Sequence, residues 1–388
     1  MQIDLLKCET HDHPWKMYAW MRDEDPLYWD DTNEIWAVTR YEDIIRVARD
    51  PETFTSSEGN RPKMPGEPNF INMDGHAHLK RRSLVQDLFT PKAVGAAEGY
   101  TREIVSEIID RVLPLGRCEF VADIASPLPL KLIATMVGDP PESHESLHKW
   151  MEVFTHGGCG PDYVTEEVQD TFIEFATHHY EVMEERQKCP AHDILSMWLR
   201  AGERGVEMDE EDMLFEHVMM LVGGAETTRN AISGGLIQLI LHPEQWDAMV
   251  EDPSLIPNAV EEMCRWVSPF INMTRTVTKD TEFHGKTLKE GDELMMIYPA
   301  ANRDPRVFDR PERFDIRRDF SQRKPIAFGY GRHHCLGAHL ARLEMKVMFE
   351  ELAKRMENIH LDGDPEWLSS SFMRGPKTLP IAFRARAH

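Results

Sequence analysis

Residues 327–342, AFGYGRHHCLGAHLAR, set one cysteine, Cys335, in a glycine-rich loop just ahead of a helix start. Gly329 and Gly331 let a backbone turn tightly or approach a flat group closely, and Gly337 removes a side chain just beyond the sulfur. N–H groups at a helix start stabilise a thiolate, which lowers its pKa and makes it a metal ligand. The alternative for any single cysteine is a small buried hydrophobe. Structural zinc needs about four ligands, and the adjacent His333 and His334 cannot easily point at one ion together with Cys335. Iron in a porphyrin needs only one protein ligand. A second unusual place is the centre of a long apolar stretch, residues 212–241, where GGAETT interrupts the pattern. Gly223 and Gly224 each cost a helix about 1 kcal/mol relative to Ala, and such a cost at a helix centre points to function.

Phe328, Gly331, Cys335 and Gly337 fit the pattern F-x-x-G-x-x-x-C-x-G, and this loop resembles the haem-binding loop of the cytochromes P-450. Gly223, Gly224, Ala225, Glu226, Thr227 and Thr228 match that family's long-helix motif, (A/G)-G-x-(D/E)-T-T, at every position. The resemblance implies haem b ligated by Cys335, with Phe328, Gly331 and Gly337 shaping the loop. Met219, Gly223 and Thr227 recur every four residues and share a helix face, so the glycine opens room above a cofactor one turn from the hydroxyl. Glu226 and Thr227 are then the catalytic pair, since an acid beside an alcohol relays protons from water. A threonine bonding back to a helix carbonyl is the alternative for Thr228.

Haem brings two propionates, which require cations in an acidic chain. By resemblance His78 and Arg82 of MDGHAHLKRR, Arg275 of NMTRTVT, and His333 supply them, guanidinium suiting carboxylate geometry. Glu262-x-x-Arg265 alone would decorate a solvated helix. In the resembling family the pair is a buried ion network that holds the haem loop, joined by a later arginine, here Arg313 in first place or Arg317.

The elements that must position these residues are mostly helical. YEDIIRVARD, YTREIVSEIIDRVL, LPLKLIATMV, VTEEVQDTFIEFATHHYEVMEERQ and LARLEMKVMFEELAKRM carry apolar residues at three-to-four spacing. The stretch 212–241 would span roughly 45 Å at about 1.5 Å per residue. Short strands are expected in IWAVT, TRTVT, ELMMIY and LPIAFR, and a long irregular loop over residues 56–70. The fold class is mainly α with small β-sheets. The resemblance, which covers nearly the whole chain, implies a single cytochrome P-450 domain over residues 1–388, a helical prism enclosing haem.

The 388 residues carry 44 Lys plus Arg against 67 Asp plus Glu, a net charge of −23 that disfavours nucleic acid and anionic membrane as partners. Six cysteines without C-x-x-C pairs read as reduced thiols. No signal-like start and no long apolar run is present, so a cytoplasmic monomer without a membrane span is expected.

By resemblance the substrate pocket takes Phe70 and Ile71 from the long loop, and Met219, Val222 and Gly223 from the long helix. Val267, Phe270, Ile271 and Met273 come from VSPFINM, and Phe372 and Met373 from SSFMRG. Such a wall suits a large apolar ligand held by buried area at about 25 cal/mol per Å². The implied reaction is monooxygenation: one atom of O2 enters a C–H bond and the other leaves as water. Electrons come from NAD(P)H through a reductase and a ferredoxin or flavodoxin, docked near Arg317, Arg318, Arg323, Lys324 and Arg332, for which a solvated charge run is the alternative. Within the family the chain looks closest to actinobacterial cholesterol and cholestenone side-chain hydroxylases, so a steroid or terpenoid is the expected substrate. Fatty-acid or macrolide hydroxylation, a peroxygenase and a haem sensor are the alternatives.

Overall fold

The computed structural model describes residues 2–386. Its principal helices are α1 (Tyr41–Arg49), α2 (Gly75–Ser83), α3 (Glu98–Val112), α4 (Pro127–Val137), α5 (His144–Gly157), α6 (Glu166–Lys188), α7 (Glu210–Leu241), α8 (Ile256–Val267) and α9 (Ala338–Arg355). The three-to-four spacing explains most of them. In α3, Ile104, Val105, Ile108, Ile109 and Val112 form one buried stripe. Helix α5 has no counterpart among the expected helices, because its sequence, HESLHKWMEVFTHG, spreads polar residues around a short apolar stripe.

Helix α7 is the axis of the molecule, about 48 Å long at ~1.5 Å per residue. It starts at a capping box: Asp212 N–H donates to Asp209 Oδ1 at 2.8 Å, and Asp209 N–H to Asp212 Oδ2 at 3.2 Å. It stops at His242, which precedes Pro243 and takes an extended φ of −128°. Close packing needs its glycines. A Cβ on Gly224 would lie 2.6 Å from Ile133 of α4, and one on Gly235 would lie 2.8 Å from Met263 of α8.

Eight strands form the two larger sheets: β1 (Leu27–Asp30), β2 (Ile35–Val38), β3 (Phe54–Thr55), β4 (Arg117–Glu119), β5 (Asn272–Val277), β6 (Glu293–Ile297), β7 (Met356–Leu361) and β8 (Pro380–Ala385). One has the order β1-β2-β6-β5-β3, with β2 and β6 parallel and the other pairs antiparallel. The other has the order β4-β8-β7. Strand β5 matters most here, because its period of two puts Met273 and Arg275 on one face. The mainly helical class with small sheets is what the periodicity implies. Among the described residues no helix is long and apolar enough to cross a membrane.

Candidate active site

Between α7, β5, α9 and the loop before α9 lies a cavity with ≈ 1460 Å³ of atom-free space, part of it open to solvent.

Cys335 is accessible and lines this cavity, between the exposed His334 and the half-buried Leu336. Its N–H donates to Phe328 O at 2.8 Å, closing the loop, and Gly329 and Gly331 turn there with φ of +69° and +72°. Gly331 has a second reason to be glycine, since a Cβ would lie 2.7 Å from Ala48 O of α1. Burial pushes the Cys335 thiol up, while the Gly337 N–H and the cations of Arg82 and Arg342 pull it down. Burial outweighs them, so a bound cation is what would hold this sulfur as the thiolate.

The predicted cations gather around the same space. Arg82, Arg275 and His333 line it; His78 stands behind, its ring 4.4 Å from that of His333. Arg82 donates to His334 O at 2.8 Å, and Arg275 to Thr274 O at 2.7 Å. Among the described residues neither forms an ion pair. Both ring nitrogens of His78 are buried without a partner, and burial lowers its pKa to about 4. His333 is tied to Asp74 at 3.1 Å. Burial works against the Asp74 carboxylate, but bonds from His333, Thr55 and Ser56 hold it well below the usual range. Two unpaired guanidiniums beside an accessible thiol fit a flat group with a soft metal centre and two carboxylates. Haem has those features, and the residues present fit it.

Helix α7 contributes Met219, Gly223, Gly224, Thr227 and Thr228. A Cβ at Gly223 would meet nothing within 4 Å, so this glycine faces open space, whereas Gly224 serves helix packing. Thr227 Oγ1 donates to Gly223 O at 3.0 Å; the back-bond considered for Thr228 belongs to Thr227. Glu226 does not line the cavity. One residue along a helix turns the side chain by about 100°, and its carboxylate meets Arg229 Nη2 at 2.6 Å instead. Burial raises the Glu226 pKa, opposed by Arg229 and His148.

Of the expected pocket residues, Phe70, Ile71, Met219, Gly223, Phe270 and Met273 line the cavity. Val222, Val267, Ile271, Phe372 and Met373 do not. Val267 packs against α7 at Gly234, and Ile271 alternates away from Phe270, its N–H donating to Phe372 O at 2.8 Å. Phe372 and Met373 form a separate buried cluster that Val222 touches, so they stand one layer behind Phe270. Gly331 and His78 likewise shape the site from behind.

Glu262 and Arg265 form the expected buried network, but its third member is Arg318. Arg265 holds the carboxylate at 2.7 and 2.8 Å, and Arg318 Nε adds a bond at 3.0 Å. Arg313 contributes only its carbonyl, which accepts from Arg265 at 3.2 Å, and Arg317 points outward. Arg318 is therefore withdrawn from the expected docking cluster.

Sequence reasoning did not single out Tyr298 or Glu344, which also line the cavity. Glu344 is buried with Oε2 unpartnered, and burial raises its pKa well above the usual range. Its signal was available: a carboxylate on the buried stripe of α9, between Leu343 and Met345.

Residues 160–379 match the family model described as cytochrome P-450. The steroid C26-monooxygenase of Mycolicibacterium smegmatis is 38% identical over 374 residues, 95% of this chain and 92% of that one. Linalool 8-monooxygenase of Pseudomonas putida is 32% identical over 96% of each chain. The crystal structure of CYP109E1 from Bacillus megaterium in complex with testosterone superposes with a TM-score of 0.88 at 30% identity, covering 97% of this chain and 99% of that one. The chain belongs to the cytochrome P-450 family: it is a monooxygenase that binds haem through a cysteine thiolate.

Proposed function

We propose that this monooxygenase hydroxylates a bulky apolar molecule, a steroid side chain first and a terpenoid next. The observation that carries the proposal is the wall formed by Phe70, Ile71, Met219, Phe270 and Met273 beside Thr227. These five apolar side chains recognise area and shape, and the methionines adapt to branched outlines. The names of the relatives, a steroid C26-monooxygenase and a linalool 8-monooxygenase, point the same way.

Cys335 would ligate the iron, and Arg82, Arg275, His78 and His333 would face the two carboxylates. Phe328 and Gly337 would bound the ring, and Gly331 would fix the loop. Bound haem supplies the redox chemistry, with thiolate donation favouring cleavage of the O–O bond. Thr227, its hydroxyl parked on Gly223 O, is the group that holds a proton at the cavity wall. Glu226 is a protonatable group in reserve behind it, released only if its contact with Arg229 opens. Electrons would arrive from NAD(P)H through a separate reductase and a ferredoxin or flavodoxin, docking near Arg323, Lys324 and Arg332, which are exposed. The chain would work as a cytoplasmic monomer.

Titrating haem-loaded protein with cholest-4-en-3-one, branched lipids, monoterpenols and small polar aromatics tests the substrate class. Spectral shifts with the first three support it; tight binding of polar aromatics alone refutes it. Thr227→Ala should keep that binding while diverting electrons to hydrogen peroxide, whereas Glu226→Gln should slow turnover without a matching leak. Product-to-NAD(P)H ratios distinguish the two.

A further inference from the structure

Away from the cavity, two of the six cysteines meet. Cys8, in the short turn Cys8–His11, and Cys159, just beyond α5, share one buried cluster with Phe372 and Met373. They are 4% and 0% exposed and pack together in that cluster. Both are held from their own backbones. Cys8 N–H donates to Tyr163 Oη at 3.1 Å, and Ser371 Oγ donates to Cys159 O at 2.8 Å. Cys159 Sγ also lies 3.2 Å from Ser370 Oγ. The donor groups around Cys159, that of Cys8 first, lower its pKa to about 5, and the same bond pushes the Cys8 thiol up. The Ser370 hydroxyl beside Cys159 Sγ favours the thiolate there, so this sulfur is disposed to be the nucleophile and that of Cys8 to remain a thiol.

This pair stands one layer behind the cavity wall. A Cβ on Gly158, beside Cys159, would come within 2.6 Å of the Phe372 ring, so backbone and ring are in close contact. Phe372 in turn lies 5.1 Å, centroid to centroid, from Phe270, which lines the cavity. The Arg61 guanidinium sits 3.7 Å over Phe372 and donates to Gly158 O at 3.0 Å and to Asn272 O at 2.9 Å. A bulky molecule that displaces Phe270 therefore pushes on Phe372 and on the connection between α5 and α6.

We propose that Cys8 and Cys159 are a disulfide-forming site, closed by hydrogen peroxide, that clamps the N-terminal segment to the α5–α6 connection and stiffens the layer behind Phe270. The Cys159 thiolate attacks one peroxide oxygen and the O–O bond breaks, giving a sulfenic acid and, after protonation, water. The Cys8 sulfur then displaces hydroxyl from the sulfenic sulfur, forming the S–S bond and a second water. Two thiols lose two electrons in total, and one peroxide becomes two waters.

Haem-loaded protein treated with dilute hydrogen peroxide, then denatured, alkylated and digested, tests the site. The expected product is a peptide joining Cys8 to Cys159, lighter by two hydrogens and released by dithiothreitol. It should be missing in Cys8→Ser and Cys159→Ser proteins whose haem spectra match the parent. The second readout is the binding rate of 4-phenylimidazole, which needs no assumption about the substrate. It should fall severalfold in oxidised parent protein, recover with dithiothreitol, and stay unchanged in treated Cys8→Ser. Two thiols that remain alkylatable, or that pair with other cysteines, overturn the site; a linked protein with an unaltered binding rate overturns the clamp.

Discussion

Two groups of arginines lie near the cysteine loop, and they differ in one respect. Around Glu262 every charged group has an ion-pair partner: Arg265 and Arg318 share its carboxylate, and Asp315 N–H donates to it at 2.8 Å. The remaining Arg265 donors reach Asn302 O and Pro311 O, both at 2.9 Å. Around His78 only His333 has a carboxylate partner, Asp74. Arg82 and Arg275 bond only to carbonyls, and both His78 nitrogens lack partners. Burying a charge costs free energy unless it is paired. The first group is therefore scaffold, complete in the chain itself. The arginines of the second are poised for carboxylates that the described residues do not supply, which is why it reads as a ligand site.

The contrast predicts mutations of opposite sign. Glu262→Ala leaves two buried cations facing each other and should cost about 3–5 kcal/mol, enough to abolish stable expression with haem. Urea unfolding of any soluble fraction checks this. Arg275→Leu should instead raise the melting temperature of haem-free protein, because it removes an unpaired buried charge. The same change should weaken haem binding by roughly 10- to 100-fold, the worth of a charge-assisted bond of about 1.5–3 kcal/mol. A haem-free form that melts lower than the parent would break the comparison.

Glu216 of α7 is an intermediate case. It is fully buried, accepts Phe70 N–H at 2.9 Å and lies 3.6 Å from Arg81, while its other oxygen is unpartnered. Burial raises its pKa to about 8, with Arg81 and the Phe70 N–H pulling the other way. The folded protein then holds a proton that the unfolded chain releases near 4.5. Stability from this group is fully present below the unfolded value and is lost as pH rises through the folded one, by up to about 1.4 kcal/mol per unit. Glu216→Gln keeps an acceptor for Phe70 without the charge. Its advantage over the parent should be nil at pH 4 and grow to pH 8, then level; an advantage that does not vary with pH would refute the titration.

Much of this was legible in the sequence where a motif fixes both type and direction. Cys335, Phe328 and Gly337 sit within a few residues of one another, so a single loop conformation places all three, and Gly223 and Thr227 share a face because four residues nearly complete a turn. Legibility failed one residue away from such faces. Val222 neighbours the lining residue Gly223, but one helix step rotates its side chain out of the cavity. Ile271 fails in the same way on extended chain, where alternation sends it opposite to Phe270. Phe372 and Met373 fail for a different reason: which loop forms the wall and which stands behind it depends on long-range packing. Tyr298 and Glu344 belong to that class too, being placed by the sheet and by α9.

The smallest expected effect separates Arg313 from Arg318, which lie in one arginine-rich run. Spacing alone could not choose, because irregular chain carries no period from which direction follows. In the fold, Arg318 is buried against Glu262 and also donates to Arg313 O at 2.6 Å, while the Arg313 side chain is exposed. Arg318→Ala removes a charged donor from a buried carboxylate and should cost about 1.5–3 kcal/mol. Arg313→Ala leaves in place the carbonyl that Arg265 and Arg318 use, and an exposed side chain removed from such a site changes stability by within about 0.5 kcal/mol. Matched urea titrations of the haem-loaded proteins give both numbers. Equal losses would mean that the Arg313 side chain supports the network in solution, and would return that arginine to the matched group.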